Sequence, residues 1–293
     1  MSHKKRHIQN CLCVSYTRKD KEVNDMYGAV LGDIIGSRFE FDRGDKSKDF
    51  RLFTAEDGFT DDSVMTVAIA EALLGVDKDE DEKIIKDRLV ESMQRWGRKY
   101  PNAGYGSRFI YWIHSDKPVP YGSYGNGSAM RVSAAGWLYD SLDKTRQMAR
   151  YTSEVSHNHS EGIKGAECTA AVIYLSRTGK SKEYIKDYVI KEFAYNLSQS
   201  LEELRRRHRH DESCMDSLPK ALVSFFEGDS FEDVIRNAVS LGGDTDTIAA
   251  IAGSMAEGYY EIPQNIIDEG RRYLGRDFME ILDKIKTKRT GDE

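Results

Sequence analysis

The chain has 293 residues, 39% of them hydrophobic and 31% charged, with a formal net charge of −6. That length holds one large domain or two ordinary ones with a full core, and the acidic balance argues against nonspecific nucleic-acid binding. No apolar run reaches the roughly 18 residues of a membrane span, so neither nucleic acid nor membrane is an expected partner.

Residues 1–26 are polar, carry both charges and lack periodicity, so they read as an N-terminal extension ahead of a domain over 27–293. The first segment is basic but has no apolar h-region, which is not the pattern of a secretory signal. Cys11, Cys13, Cys168 and Cys214 form no CxxC pair. Free thiols in a reducing cytoplasm fit them better than a disulfide scaffold.

From residue 27 onward the signals are helical. Gly28, Gly32 and Gly36 recur every four residues, which on a helix lines up one smooth face for close packing. Asp33 lies beside that face as a candidate anchor, and Glu40 falls just past the expected helix end as a loop carboxylate for catalysis or gating. Helical spacing follows over Asp62–Leu74, Asp81–Trp96 and Ile163–Leu175. Pro219–Phe226 reads as a helix with proline in its first turn. Ser230–Asp233 resembles a capping box, with Gly242 and Gly243 as the stop, and Thr247–Tyr259 is another apolar helix. Strand alternation is nearly absent and no repeat period appears, so the expected fold is one all-α domain. The basic run Arg205–His210 lacks interleaved aromatics and reads as a solvated connection.

Two acidic clusters stand at helix starts. Thr60, Asp61 and Asp62 precede one apolar helix, and Asp244, Asp246 and Thr247 precede another. A single Asp or Thr is an ordinary N-cap. Two acidic residues per cluster, before helices too apolar for the surface, need another explanation. Buried carboxylates repel and shift their pKa upward, and a hard divalent cation (Mg²⁺, Mn²⁺ or Ca²⁺) removes that difficulty with oxygen ligands of this type. There is no EF-hand loop.

Gly125, Asn126, Gly127 and Ser128 lie in a glycine-rich stretch that opens a helical pattern. Such a turn gathers backbone N–H groups and suits a phosphate, although a plain tight turn has the same composition. His157 and His159 are two residues apart with nothing to complete a zinc site. A hydrogen-bonding role toward a ribose or adenine group, or a polar loop capped at Ser160, are the two readings.

In chain order, GAVLGDIIGSRFE, FTDDS, GNGSAMR, SHNHSEGIKGA and LGGDTDTIAAIAG together resemble the ADP-ribosylglycohydrolase family over about residues 27–263. The resemblance implies a compact all-α fold with a cleft that holds two Mg²⁺ (Mn²⁺ as the substitute). It implies metal ligands at Thr60, Asp61, Asp62, Asp244, Asp246 and Thr247, with Glu40 as a mobile glutamate beside them. It places Gly125, Asn126, Gly127 and Ser128 at a diphosphate and His157 on the ADP-ribose side, and leaves His159 without a firm match. The implied reaction is hydrolysis of the glycosidic bond between ADP-ribose and a modified protein side chain, arginine before serine, or a small ADP-ribose conjugate. Cleavage develops oxocarbenium character, a cation-held water is the nucleophile, and Glu40, Asp61, Asp62 or Asp246 is the general acid/base. The competing class is an immunity-type interaction protein that blocks an ADP-ribosyltransferase partner through residues 1–26.

Overall fold

The described part of the computed structural model comprises residues 26–42, 46–77, 80–206 and 210–290. The sequence ahead of Met26, with Cys11 and Cys13, lies outside it, as do residues 207–209 of the basic run. The described residues form α1 (Tyr27–Ser37), α2 (Asp61–Leu74), α3 (Glu82–Lys99), α4 (Ser107–His114), α5 (Gly127–Met130), α6 (Ser133–Leu138), α7 (Leu142–Glu154) and α8 (Ser160–Arg177). They continue as α9 (Lys182–Phe193), α10 (Leu201–Arg205), α11 (Cys214–Glu227), α12 (Phe231–Val239), α13 (Thr245–Tyr259), α14 (Gln264–Gly270) and α15 (Arg276–Thr290). Among the described residues there is no strand, only an isolated bridge between Gly125 and Ser213. The fold is all-α, and none of these helices is long and apolar enough to cross a membrane.

Helix α13 is the axis of the core, buried from Thr245 to Gly258. The glycine face of α1 lies directly on it. A Cβ at Gly28 would sit 2.3 Å from the Gly253 carbonyl oxygen, one at Gly32 2.1 Å from that of Ala249, and one at Gly36 2.6 Å from that of Thr245. The partner numbers fall as the glycines rise, so the two helices are antiparallel with backbones in direct contact. At one end, Glu257 of α13 accepts the Tyr27 and Gly28 N–H groups at 3.0 and 2.9 Å and caps α1. At the other end, the last turn of α1 meets the acidic start of α13, which places Asp33 and Glu40 beside Asp244 and Asp246. Helices α8, α11 and α12 pack around α13, while α2 carries α3 on its far side and touches α1 and α15.

Several helices begin earlier than their apolar periodicity, because the capping turn carries no apolar signal. The clearest correction is α11. Pro219 is not in its first turn: the helix starts at Cys214 and proline sits inside it. The ring removes the N–H that would bond the Met215 carbonyl. Helix α12 has half of the expected capping box. Ser230 accepts the Asp233 N–H at 3.1 Å, but the Asp233 carboxylate turns to Lys48 and the Asp229 N–H. That helix ends at Val239, ahead of the glycine pair. Gly242 and Gly243 have φ of +71° and +79° and form the left-handed turn that feeds α13. Cys168 and Cys214 are free and buried.

Candidate active site

The first acidic cluster is organised by Asp33. Its Oδ2 accepts the Thr60 N–H at 2.9 Å, the Ser63 N–H at 3.0 Å and the Ser63 hydroxyl at 2.5 Å, while Oδ1 accepts the Thr60 hydroxyl at 2.8 Å. One carboxylate thus takes up the first-turn donors of α2. Asp61 and Asp62 are released from capping and line the cavity. Thr247 donates from α13 to Asp62 Oδ2 at 3.1 Å and ties the two clusters together.

Two groups of carboxylates result. Oxygens of Asp33, Asp62 and Asp246 lie within 4.8 Å of one another, as do those of Glu40, Asp244 and Asp246. Asp246 belongs to both. Burial raises the pKa of every aspartate here, and the neighbouring carboxylates add to it for Asp61, Asp62 and Asp246. Asp33 is pushed up to about 6 and Asp61 to about 8, burial being the largest cause for each. Asp62 Oδ1 and Asp246 Oδ1 are buried with no hydrogen-bond partner. Buried carboxylate oxygens without a donor, in an oxygen-only set, fit a hard divalent cation. The residues present are therefore able to hold a metal.

These carboxylates form one end of a cavity of about 530 Å³. Glu40, Asp61, Asp62, Asp244, Asp246, Thr247, Gly125, Asn126, Gly127 and His157 all line it, so most of the residues singled out in the sequence come together. Three do not reach it in the same way. Ser128 is fully buried behind the loop, where its hydroxyl donates to the Gly162 carbonyl at 2.8 Å. The Thr60 hydroxyl is turned to Asp33. His159, rather than Ser160, is the N-cap of α8 and accepts the Glu161 N–H at 3.1 Å.

Asn126 lines the cavity, but its donors are already engaged. Its N–H goes to the Glu212 carbonyl at 2.8 Å, and its side-chain amide donates to Asp244 at 2.5 Å and to the Ser217 hydroxyl at 2.8 Å. It joins the glycine-rich loop to the second acidic cluster. The loop is pinned from behind by the Cys214 N–H on the Tyr124 carbonyl at 3.0 Å and the Cys214 thiol on the Gly125 carbonyl at 3.3 Å. Burial pushes that thiol up to about 12, so it stays protonated as a donor.

The sequence did not single out Tyr105, Arg108, Phe109, Tyr121, Arg131 or Glu212, which also line the cavity. Phe109 and Tyr121 flank His157, with ring centroids 6.1 and 5.6 Å away. Arg108 lies over Tyr121 at 4.6 Å. At the entrance, Phe41 is 52% exposed, has φ of +59°, and is held by its N–H on the Gly243 carbonyl at 3.1 Å. His210, the described end of the basic run, packs on Phe41 at 5.0 Å and contacts Glu212 at 3.1 Å. Only Arg131 carried a local signal, as the last letter of GNGSAMR.

A profile of the family described as ADP-ribosylglycohydrolase matches residues 15–293. The chain is 24% identical over 314 residues to human "ADP-ribosylhydrolase ARH3", covering 81% of this chain and 84% of that protein. It is 24% identical over 293 residues to "ADP-ribosylarginine hydrolase Tri1" of Serratia proteamaculans, covering 88% and 77%. A solved structure titled "ADP-ribosylglycohydrolase-related protein complex" superposes with a TM-score of 0.68 at 23% identity, over 93% of this chain and 98% of that one, which supports the fold.

Proposed function

Because the chain belongs to the ADP-ribosylglycohydrolase family, we propose that it is a Mg²⁺-dependent hydrolase that releases ADP-ribose from modified protein side chains, arginine in preference to serine. That it is an enzyme acting on a glycosidic bond of ADP-ribose follows from the family and its named relatives. The observation that carries the finer reading is the pair of carboxylate groups sharing Asp246, set beside a glycine-rich loop in one cavity. Two cations, Mg²⁺ or Mn²⁺, would be held by Asp62, Asp244 and Asp246 with the Thr247 hydroxyl. Bound there, they would supply Lewis-acid activation of a water and a hold on ribose hydroxyls.

The chain's own groups do the rest. The loop at Gly125 and Gly127 permits close approach of a diphosphate, and binding remote from the reacting carbon is available to stabilise the transition state. Phe109 and Tyr121 exclude water around His157. Glu40, Asp61, Asp62 and Asp246 all line the cavity, and one of these carboxylates would exchange a proton with the leaving group. The preference for arginine rests on the entrance, where Glu40, Glu212 and the exposed face of Phe41 suit a guanidinium. Buried free thiols at Cys168 and Cys214 suit a reducing cytoplasm.

The test is ADP-ribose release by the purified chain from arginine-modified and serine-modified proteins, with Mg²⁺ or with EDTA. Release from the arginine substrate that EDTA abolishes is the expected result. Faster release from serine overturns the preference, and release that survives EDTA overturns the metal dependence.

A further inference from the structure

Arg131 is the largest fully buried side chain among the described residues, and the chemistry above does not use it. Its guanidinium donates to two neutral oxygens, the Thr152 carbonyl at 3.0 Å and the Ser156 hydroxyl at 2.7 Å, and its charge lies 5.4 Å from the Phe109 ring centroid. A buried cation is costly to hold in this way, which points to what lies beyond Ser156. The Ser156 hydroxyl is 2.9 Å from His157 Nδ1.

Proton counting fixes the direction of this chain. Arginine only donates, and a serine hydroxyl has one hydrogen to give. Ser156 accepts from Arg131, so its own hydrogen goes to the acceptor within reach, Nδ1 of His157. The reverse arrangement, with Nδ1–H donating to Ser156, would strand the hydroxyl hydrogen in a fully buried position. A neutral imidazole that accepts at Nδ1 carries its proton on Nε2. Burial, with the charges of Arg131 and Arg108, holds the ring well below the usual histidine range, so it is neutral. Nε2 faces the glycine-rich loop: a Cβ on Gly127 would lie 3.1 Å from it and one on Gly125 3.5 Å.

We propose that Arg131 and Ser156 are positioning residues that lock His157 as the neutral Nε2–H tautomer and so present a fixed hydrogen-bond donor to a phosphate oxygen at the loop formed by Gly125 and Gly127. The identity of that phosphate as part of ADP-ribose rests on the functional reading above; the lock does not. Each bond in the chain from guanidinium to hydroxyl to imidazole polarises the next. The buried charge thereby strengthens a donor at the cavity wall without placing a titrating cation there.

The experiment is side-chain ¹⁵N–¹H correlation of the full chain labelled at histidine, at neutral pH and without ligand. His157 signals are assigned by their loss in His157→Asn. The expected pattern is a protonated Nε2 and a bare Nδ1 in the wild type. In Ser156→Ala the two tautomers should mix and the Kd for ADP-ribose should rise about tenfold, the scale of one charge-assisted hydrogen bond. Ser156→Thr keeps the hydroxyl and should restore both. If Ser156→Ala does not fold, the wild-type and threonine spectra still decide. A wild-type Nδ1–H or imidazolium signature overturns the lock, as does an unchanged signature in folded Ser156→Ala. A wild type with the Nε2–H signature that does not bind ADP-ribose upholds the lock and overturns the ligand.

Discussion

Replacing Gly32 by alanine sets two known effects against each other. In an exposed helix interior the change stabilises by about 1 kcal/mol, because glycine has more backbone freedom to lose. Here the new Cβ would lie 2.1 Å from the Ala249 carbonyl oxygen, 2.4 Å from its carbon and 2.7 Å from the Ala250 nitrogen. All three are backbone atoms of a fully buried helix, so no side chain can swing aside. Relief requires α1 and α13 to separate by about 1 Å in a close-packed interior. Overpacking of this kind costs about 1–3 kcal/mol, occasionally more. With three backbone contacts this short the cost sits at the upper end of that range, and the clash should win by about 2 kcal/mol after the propensity gain. Because Asp33 rides on α1 and Asp246 on α13, the same movement should weaken cation binding. Urea unfolding and calorimetric Mg²⁺ titration measure the two effects. Gly58→Ala is the control, since nothing lies within 4 Å of its Cβ. If Gly32→Ala proves as stable as the wild type and keeps its Mg²⁺ affinity, the two backbones are not in contact as described.

Glu257→Ala should lose about 2–4 kcal/mol in urea unfolding, because two charge-assisted bonds to the start of α1 disappear; Glu257→Gln keeps an acceptor and should lose less. Asp246→Asn removes the carboxylate shared by both groups, so Mg²⁺ should no longer raise the thermal midpoint, as mass action requires of a ligand that binds the folded state, and turnover should fall at least 100-fold. In EDTA, urea stability should decline as pH rises from about 4 to about 8. Asp33 and Asp61 have folded pKa values raised to about 6 and about 8, so the folded state retains protons that the unfolded chain has released over that range. Saturating Mg²⁺ should flatten or reverse that slope, and a cation-free protein that gains stability across this window would contradict the assignment of these carboxylates.

What the sequence made legible was local. The four-residue spacing of Gly28, Gly32 and Gly36 specifies a flat helix face whatever packs on it, and the structure supplies α13. The paired carboxylates at Asp61–Asp62 and Asp244–Asp246 exceed what helix caps require, and they do meet. Partners set by tertiary packing were not legible. Asp33 could be placed beside the glycine face, but its four bonds to Thr60 and Ser63 depend on where α2 begins in space. Asn126 sits in a loop of phosphate-binding composition, yet its amide is taken by Ser217 and Asp244, more than 90 residues away. Pro219 carried a helix-start signal that the preceding turn from Cys214 overrode. Arg131 ends a recognisable string, but nothing in a linear pattern shows that it is buried against Ser156.

The contact between α1 and α13 also bears on the birth of the molecule at the ribosome. The glycine face of α1 emerges ahead of its partner helix, and the carboxylate that caps its first turn follows 230 residues after Tyr27. Until then the glycine face of α1 has no backbone to pack against, and Asp33, Glu40, Asp61 and Asp62 form half of an acidic site. A nascent chain stopped before Asp244 therefore has no Asp246 to join the two carboxylate groups. Long-range closure of this kind is slow, and both carboxylate groups are complete only once the start of α13 has joined the chain.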